Sequence, residues 1–180
     1  HLPSSPLPRG LLFPPPHHPL FDFSLAGGEW IDARASAARA ELDELGERVV
    51  VAHCDYSSAN VLVQGARVTA IFDFDSVGLI DEMRCLASTA LHFTYQPSSA
   101  QWRWATPEQS VCFAADYERA RGTALTSLER HRLFSCAIYA MAYTARCEHA
   151  LDPLGRKGGG MRAQLREQRA GFDLCAQFLG

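Results

Sequence analysis

The sequence predicts an α+β fold that is mainly helical and contains one small β-hairpin. Short runs rich in β-branched residues occupy 49–52, 61–63 and 68–72. The segments before and after these runs have the spacing of amphipathic and buried helices. The chain has 180 residues, of which 47% are apolar and 21% charged. A chain of this length and composition can bury its own hydrophobic core.

The first 27 residues differ in composition from the rest of the chain. They contain seven prolines and show neither helical nor strand periodicity. We therefore expect 1–27 to form a linker or an extended arm. Residues 28–180 then form one helical domain. Its first element is an amphipathic helix that starts at Glu29 and ends near Gly46.

The middle of the chain predicts the β-hairpin. The first β-branched run, 49–52, is followed by a polar segment, and the second and third runs are separated by Gly65. Two short strands around a glycine indicate a hairpin, at about 60–73. The outer ends of this hairpin should lie next to each other.

Helices are predicted for the rest of the chain. The apolar stretch from Leu79 to about Phe93 predicts the first of them. Residues 106–109, Thr-Pro-Glu-Gln, and 126–129, Thr-Ser-Leu-Glu, each combine an N-capping threonine with a capping-box residue three positions later. These two segments therefore predict the starts of two further helices. Trp102 and Trp104, in the loop before them, are expected to pack that loop onto the core; the alternative is that they form a wall of the substrate site.

The helix that begins near Thr126 is expected to be the centre of the core. It extends to about Ala150 and is apolar on nearly all sides over 133–143. Near its end, Glu148 and Asp152 are expected on a solvated surface; the alternative is that they line an acidic pocket for an amine-bearing substrate. After a glycine-rich break, a last helix is predicted over 161–179.

Charge and cysteine content exclude several classes of protein. The formal net charge is −3, without the basic stripe that a nucleic-acid partner requires. The longest apolar run, 133–145, is too short to cross a membrane, and no signal peptide is visible. The six cysteines include no C-x-x-C pair, which favours free thiols and a cytoplasmic location. No pattern predicts the oligomeric state.

Polar residues concentrate where the short strands end. His53, Asp55 and Asn60 follow the first strand, and Asp73 and Asp75 follow the third. Because the hairpin joins its own outer ends, we expect Asn60 and Asp73 to lie side by side, with Asp55 on the loop that enters the hairpin. Amide and carboxylate oxygens suit Mg²⁺, which shares its ligand shell with phosphate. A nearby carboxylate such as Asp55 is free to take a proton, an arrangement that suits phosphoryl transfer.

These residues resemble those of a known family. His53-x-Asp55-x-x-x-x-Asn60, followed by a hairpin and Asp73-Phe74-Asp75, is similar to the catalytic loop and metal-binding Asp motif of protein kinases. Without the arginine of the protein-kinase loop, it looks like the aminoglycoside phosphotransferase and choline kinase family. The resemblance implies the C-terminal lobe of a protein-kinase-like fold, with the hairpin carrying the site.

The resemblance also implies roles for individual residues. Asp55 would be the catalytic base, and Asn60 and Asp73 would hold Mg²⁺ and with it ATP. Three further residues would support the site: His53 would brace the loop, Asp75 would be a secondary acidic residue, and Asp81 matches the first aspartate of the family's following motif. The sequence departs from the family pattern at Cys54, where glycine is usual, and at Cys85, where a second aspartate is usual.

The family resemblance implies a small-molecule kinase that transfers the γ-phosphate of ATP to a hydroxyl of an aminoglycoside-like or amino-alcohol-like acceptor. Such a kinase also needs an N-terminal nucleotide-binding lobe with a strand lysine. The sole lysine here, Lys157, lies in a glycine-rich segment. We therefore expect that this lobe is absent from the chain and that the chain alone is inactive.

Two alternatives remain open at this point. The first alternative is that the chain is a non-catalytic, degenerate kinase-like binding domain. The second is that it is a metal-dependent hydrolase using His53, Asp55 and Asp73. The lack of a second histidine at metal-ligand spacing disfavours the hydrolase. Asp55, Asn60 and Asp73 are also residue types that favour turns and caps, which is the structural alternative to a catalytic role.

Overall fold

The computed structural model describes residues 7, 9–94, 104–158 and 160–169. Within these ranges the chain forms five helices and four short strands. The helices are α1 (Glu29–Glu44), α2 (Glu82–His92), α3 (Pro107–Arg121), α4 (Ser127–Leu151) and α5 (Gly160–Arg169). The strands are β1 (Val49–His53), β2 (Val61–Gln64), β3 (Arg67–Ile71) and β4 (Val77–Asp81).

The four strands form two antiparallel pairs, one inserted within the other. The outer pair joins β1 to β4, in a register that runs from Val49 opposite Asp81 to His53 opposite Val77. The inner pair is the hairpin of β2 and β3, which starts with Val61 opposite Ile71 and contains a bulge after Leu62. Gly65 adopts a positive φ of 60° in the hairpin turn, a conformation that glycine accepts without strain.

Helix α4 is the centre of the molecule. Its apolar residues, including Leu133, Met141, Ala142 and Ala145, are almost completely buried. The helix packs against α1, α2 and α5. Such a helix, apolar nearly all round, is stable only when neighbours cover every side. Its start is closed by a capping box in which Thr126 accepts a hydrogen bond from the backbone of Glu129.

Residues 9–28 contain neither a helix nor a strand, yet they are attached to α4. The Phe13 ring is 8% exposed and contacts the rings of Phe23, Tyr139 and Tyr143. The Tyr139 hydroxyl also donates a hydrogen bond of 2.6 Å to the carbonyl oxygen of Leu12. We call residues 9–28 the arm. Its aromatic and polar contacts hold it on the face of α4.

The structure confirms the α+β class, with helices and small antiparallel sheets compatible with a kinase-like fold. Both predicted capping boxes are present, at Thr106 and Thr126. The prediction of a helix from Leu79 is wrong, because 77–81 pair with β1 and the helix begins at Glu82. An apolar run without alternation is typical of both a buried strand and a buried helix, so periodicity could not separate them.

The remaining predictions concern the end of the chain. Helix α5 begins at Gly160, close to the predicted Met161, and the rest of the predicted 161–179 helix beyond Arg169 lies outside the described residues. No helix in the described part of the chain combines the length and apolar character needed to cross a bilayer.

Candidate active site

The two strand pairs bring the two polar segments together. The outer pair ends at His53 and Val77, and the inner pair begins at Val61 and Ile71. Segments 54–60 and 72–76 therefore lie between the two strand pairs, which hold them next to each other. The Cys54 backbone N–H donates to the Ser76 carbonyl (3.2 Å), and that of Phe72 donates to the Asn60 carbonyl (2.8 Å). Asn60 consequently lies opposite the residue that precedes Asp73.

His53 links the two segments through its side chain. Its Nε2 lies 2.6 Å from the carbonyl oxygen of Phe72 and donates a hydrogen bond to it. Its Nδ1 then accepts from the backbone N–H of Asp55, at 3.3 Å. The Ser76 hydroxyl lies 3.1 Å from the same nitrogen. One imidazole thus fixes the backbone of Asp55 relative to that of Phe72.

Asn60 and Asp55 are in direct contact. The Asn60 side-chain nitrogen donates to the Asp55 backbone carbonyl at 2.8 Å and to the Asp55 Oδ2 at 3.1 Å. Both of these hydrogen bonds use the amide nitrogen of Asn60, so the amide oxygen remains the atom suited to a cation. The contact also positions the Asp55 carboxylate, which is exposed on its loop.

Asp73 has an unusual backbone conformation. Its φ of 58° and ψ of 49° lie in the left-handed region, and no other non-glycine residue in the described ranges has a positive φ. Such a conformation costs free energy and is kept only where the surroundings enforce it. Here the Ser76 hydroxyl donates to the Asp73 carbonyl at 2.9 Å. Asp75 is exposed within the short helical turn that follows.

Asp81 occupies a different environment from the other acidic residues. The residue is 5% exposed, and its carboxylate accepts from the backbone N–H of Met83 at the start of α2 and pairs with the Arg132 guanidinium. Asp81 therefore connects β4, α2 and α4. These contacts are those of a helix cap and a buried ion pair.

The side chains that could bind a cation here offer oxygen ligands. Within the described ranges, no three His, Cys, Asp or Glu side chains are close enough together to hold a metal ion. An amide oxygen from Asn60 and a carboxylate from Asp73 would supply two oxygen ligands. That number fits Mg²⁺, which takes one or two protein ligands and completes its shell with water and phosphate oxygens.

A cavity of about 520 Å³ opens beside Asp55. Its lining includes His17 and Phe21 from the arm, Asp55, His92 from α2, Trp104 and Tyr143 from α4. We call it the Asp55 cavity. The sequence provided no signal for it, because its lining comes from segments far apart in the chain. Trp104 does pack onto the folded core, whereas Trp102 lies outside the described residues.

His92 and Thr144 form a polar contact in the wall of the Asp55 cavity. His92 Nδ1 donates to the Ser88 carbonyl at 2.7 Å, and its Nε2 accepts from the Thr144 hydroxyl at 2.9 Å. Burial lowers the pKa of His92, opposed by the Ser88 hydrogen bond and by the negative charge of Asp55. The imidazole is thus neutral at physiological pH.

The prediction that Glu148 and Asp152 lie on a solvated surface is wrong. Their exposed fractions are only 3% and 9%. The Glu148 carboxylate accepts hydrogen bonds from the Trp104 indole N–H (2.6 Å) and from the backbone N–H groups of Met161 and Arg162 (3.0 and 2.9 Å). Burial raises the pKa of Glu148, although these donors oppose the rise. The start of α5 explains the burial, because its free N–H groups require an acceptor.

A second cavity has a volume of about 550 Å³. It is lined by apolar residues of β1 and α2, with Tyr117 and the buried Glu82 among its polar groups. The Tyr117 hydroxyl donates to Glu82 at 2.5 Å. Burial and this carboxylate raise the pKa of Tyr117 to about 12. The second cavity contains His53 but not Asp55 in its lining.

Comparisons with known proteins agree with the motif. The family model described as the phosphotransferase enzyme family matches residues 16–134, which is more than half of the chain. The match includes every residue of the two polar segments and the strands that hold them. No curated protein and no solved structure matches the chain significantly.

Proposed function

Because the chain belongs to the phosphotransferase enzyme family, we propose that it is the catalytic lobe of a small-molecule kinase. The lobe would transfer the γ-phosphate of ATP to a hydroxyl group of the acceptor. The observation that supports this most directly is the pair of nested strand ladders. They hold segments 54–60 and 72–76 together, with Asp55 in the lining of a cavity.

In this proposal the Asp55 carboxylate is the general base. The acceptor oxygen attacks the γ-phosphorus, and the bond between that phosphorus and the β–γ bridging oxygen breaks. ADP leaves, and the hydroxyl proton passes to Asp55. The hydrogen bond from Asn60 Nδ2 to Asp55 Oδ2 orients the carboxylate for this step. Positioning and charge stabilisation are the main contributions a protein makes to phosphoryl transfer.

Asn60 and Asp73 would hold Mg²⁺ together with the nucleotide phosphates. When bound, the ion neutralises the negative charge of the phosphate oxygens. His53 is a positioning residue, since its two ring nitrogens join the backbone of Asp55 to that of Phe72. Asp75, exposed on the neighbouring turn, would add negative charge near the cation. The contacts of Asp81 support a structural role instead.

The nucleotide would also require groups that this sequence does not provide. A kinase of this type uses a strand lysine that pairs with the phosphates. Lys157 is the only lysine, and it lies between α4 and α5, where its backbone N–H donates to Asp152. We propose that a nucleotide-binding lobe complements this chain, and that the 180 residues alone turn over ATP poorly or not at all.

A degenerate binding domain is the second candidate, and the missing strand lysine favours it. The strained Asp73 and the Asp55–Asn60 contact favour the enzyme, because a domain without activity has no need for a left-handed aspartate at this turn.

The proposal is tested with the longest natural chain that contains these residues. ADP release is followed with Mg²⁺, ATP and a panel of neutral and aminated alcohols. We expect Asp55→Asn to lower kcat by at least about a hundredfold, since a general base contributes that much or more, with little change in nucleotide affinity. Asp73→Ala should mainly raise the KM for Mg·ATP.

Asp116→Asn is the matched control, because Asp116 is an exposed residue of α3 that pairs with Arg119 and belongs to neither polar segment. Its kcat should equal that of the unmodified protein. Wild-type turnover by Asp55→Asn would refute the base assignment. Failure of every acceptor to stimulate ADP release would favour the binding domain.

A further inference from the structure

We propose that the acceptor is a small neutral alcohol with a flat apolar body, and that this body occupies the Asp55 cavity. The inference rests on the proposed function, because it takes Asp55 as the group that receives the hydroxyl. It departs from the aminated acceptor that the family resemblance implies. Three features of the cavity lead to it: its charge, its aromatic wall and its size.

The charge of the cavity disfavours an anionic acceptor. Its described lining contains the carboxyl groups of Asp55 and Glu148 and neither lysine nor arginine. A carboxylate or phosphate on the acceptor would be buried near like charge without a cationic partner. Burial of an unpaired charge is strongly unfavourable.

The Glu148 carboxylate in this lining is poorly accessible to an ammonium group. The two oxygens of Glu148 accept three N–H donors from Trp104, Met161 and Arg162, which leaves at most one acceptor position, and the residue is only 3% exposed. A Cβ at Gly160 would lie 2.7 Å from Glu148 Oε1, so the start of α5 encloses this carboxylate closely. Asp55 is then the only other carboxylate in the described lining, and the proposed reaction uses it as the base.

The contact between His92 and Thr144 adds polar groups without charge to the wall. His92 is a neutral ring, with Ser88 as the acceptor of its Nδ1 proton and Thr144 as the donor to its Nε2. This pair offers a hydroxyl oxygen to the cavity and no net charge. A second hydroxyl on the acceptor is the group that such a wall accommodates.

The apolar part of the wall is aromatic. Trp104 meets the His92 ring edge-on, with centroids 5.2 Å apart, and Tyr143 contacts His17 with centroids 6.1 Å apart. Phe21 from the arm completes this wall. Aromatic side chains bind flat apolar groups through area and ring geometry. A cavity of about 520 Å³ is of the size that takes small molecules.

The test uses three probes that share one phenylpropyl skeleton and differ in charge. They are 3-phenyl-1-propanol (neutral), phenylalaninol (cationic) and 3-phenyllactate (anionic). Each is titrated into the 180-residue chain, and binding is followed by the NMR signal of the Trp104 indole N–H, which lies in the cavity wall. We expect the neutral alcohol to bind at least tenfold more tightly than either charged probe.

Substitutions in the two cavities show where the neutral probe binds. Trp104→Leu and Tyr143→Leu should each weaken binding of 3-phenyl-1-propanol at least fivefold, measured by calorimetry so that the indole signal is not required. Tyr117→Phe, in the second cavity, should leave it within twofold. Two leucine variants at different positions guard against a folding defect in one of them, and thermal unfolding identifies such a defect.

The outcomes separate this inference from the proposed function. Equal or tighter binding of phenylalaninol, no binding of any probe, or affinity unaffected by both leucine variants would overturn the neutral acceptor. If the longest natural chain phosphorylates amino alcohols in an Asp55-dependent reaction, the kinase proposal stands and this inference fails. If the neutral probe binds in the cavity and no alcohol stimulates ADP release, the kinase proposal fails.

Discussion

The contacts of Arg132 join α4 to α1 and to the end of β4. This residue is 5% exposed in α4, its guanidinium pairs with the carboxylate of Asp81, and Nη1 donates to the carbonyl oxygens of Leu42 and Leu45. Arg132→Met would leave the Asp81 carboxylate buried without its partner. We expect a loss of about 3–5 kcal/mol in the free energy of unfolding, measured by urea titration at neutral pH.

Arg119→Met is the control for this prediction. Arg119 pairs with Asp116 on the surface of α3, where the two side chains are 72% and 65% exposed. Exposed pairs contribute about 0–1 kcal/mol, so this variant should unfold almost like the unmodified chain. Similar losses for the two variants would show that burial of Asp81 is not the source of the effect.

At the same scale, the sequence predicts the residues of the candidate site better than their hydrogen-bond partners. His53, Asp55 and Asn60 form a local pattern, and their spacing along one loop is visible in the sequence. Ser76 lies 23 positions from His53, and Trp104 lies 44 positions from Glu148. Such contacts depend on how distant elements pack, which no local pattern encodes.

At the scale of elements, the sequence predicts one of the two strand pairs, the hairpin of β2 and β3, and misses the pair of β1 and β4. The hairpin turn at Gly65 was predictable because two β-branched runs flank a glycine. The pairing of β1 with β4 was not, because the apolar 77–81 segment continues without a break into α2. Together with the hairpin, this outer strand pair holds segments 54–60 and 72–76 next to each other.

The contact between α2 and α4 has a predictable pH dependence. Burial lowers the pKa of His92 below its ordinary value of 6.5. Below that pH the unfolded chain binds a proton that the folded chain does not, so the free energy of unfolding falls as the pH falls. We expect His92→Gln to reduce the loss of stability between about pH 7.5 and about pH 5, the range in which histidines titrate, measured by urea unfolding at each pH.

His131→Gln is the control, because His131 is an exposed histidine of α4 whose ring faces Glu41. Its loss of stability over the same range should exceed that of His92→Gln. A His92→Gln protein with the full pH dependence of the unmodified chain would mean that another group is responsible.

At the scale of the whole molecule, the arm contributes to the wall of the Asp55 cavity and also packs against the core. Phe13 anchors it among the rings on α4, and His149 Nε2 donates to the carbonyl oxygen of Ala26 at 2.9 Å. At the junction with α1, a Cβ on Gly28 would lie 1.3 Å from Arg146 Nη1. His17 and Phe21, between these anchors, reach the cavity. The shape of one cavity wall therefore depends on an attachment outside it.

Removal of the anchor should open that wall while the helical core persists. Phe→Ala substitutions in a packed environment cost about 3–5 kcal/mol, and here the loss falls on a segment that has no helix or strand of its own. We expect Phe13→Ala to speed thermolysin cleavage within residues 9–28 and to weaken binding of 3-phenyl-1-propanol, with the far-ultraviolet circular dichroism of the helices retained.

Leu11→Ala is the matched variant for the arm, since Leu11 lies two positions before Phe13 and is 58% exposed. It should change neither the cleavage rate nor the affinity for the probe. If Phe13→Ala were cleaved no faster than Leu11→Ala, the arm would be held by its other contacts with α4. If it were cleaved faster but bound the probe unchanged, the arm would be attached through Phe13 without shaping the cavity.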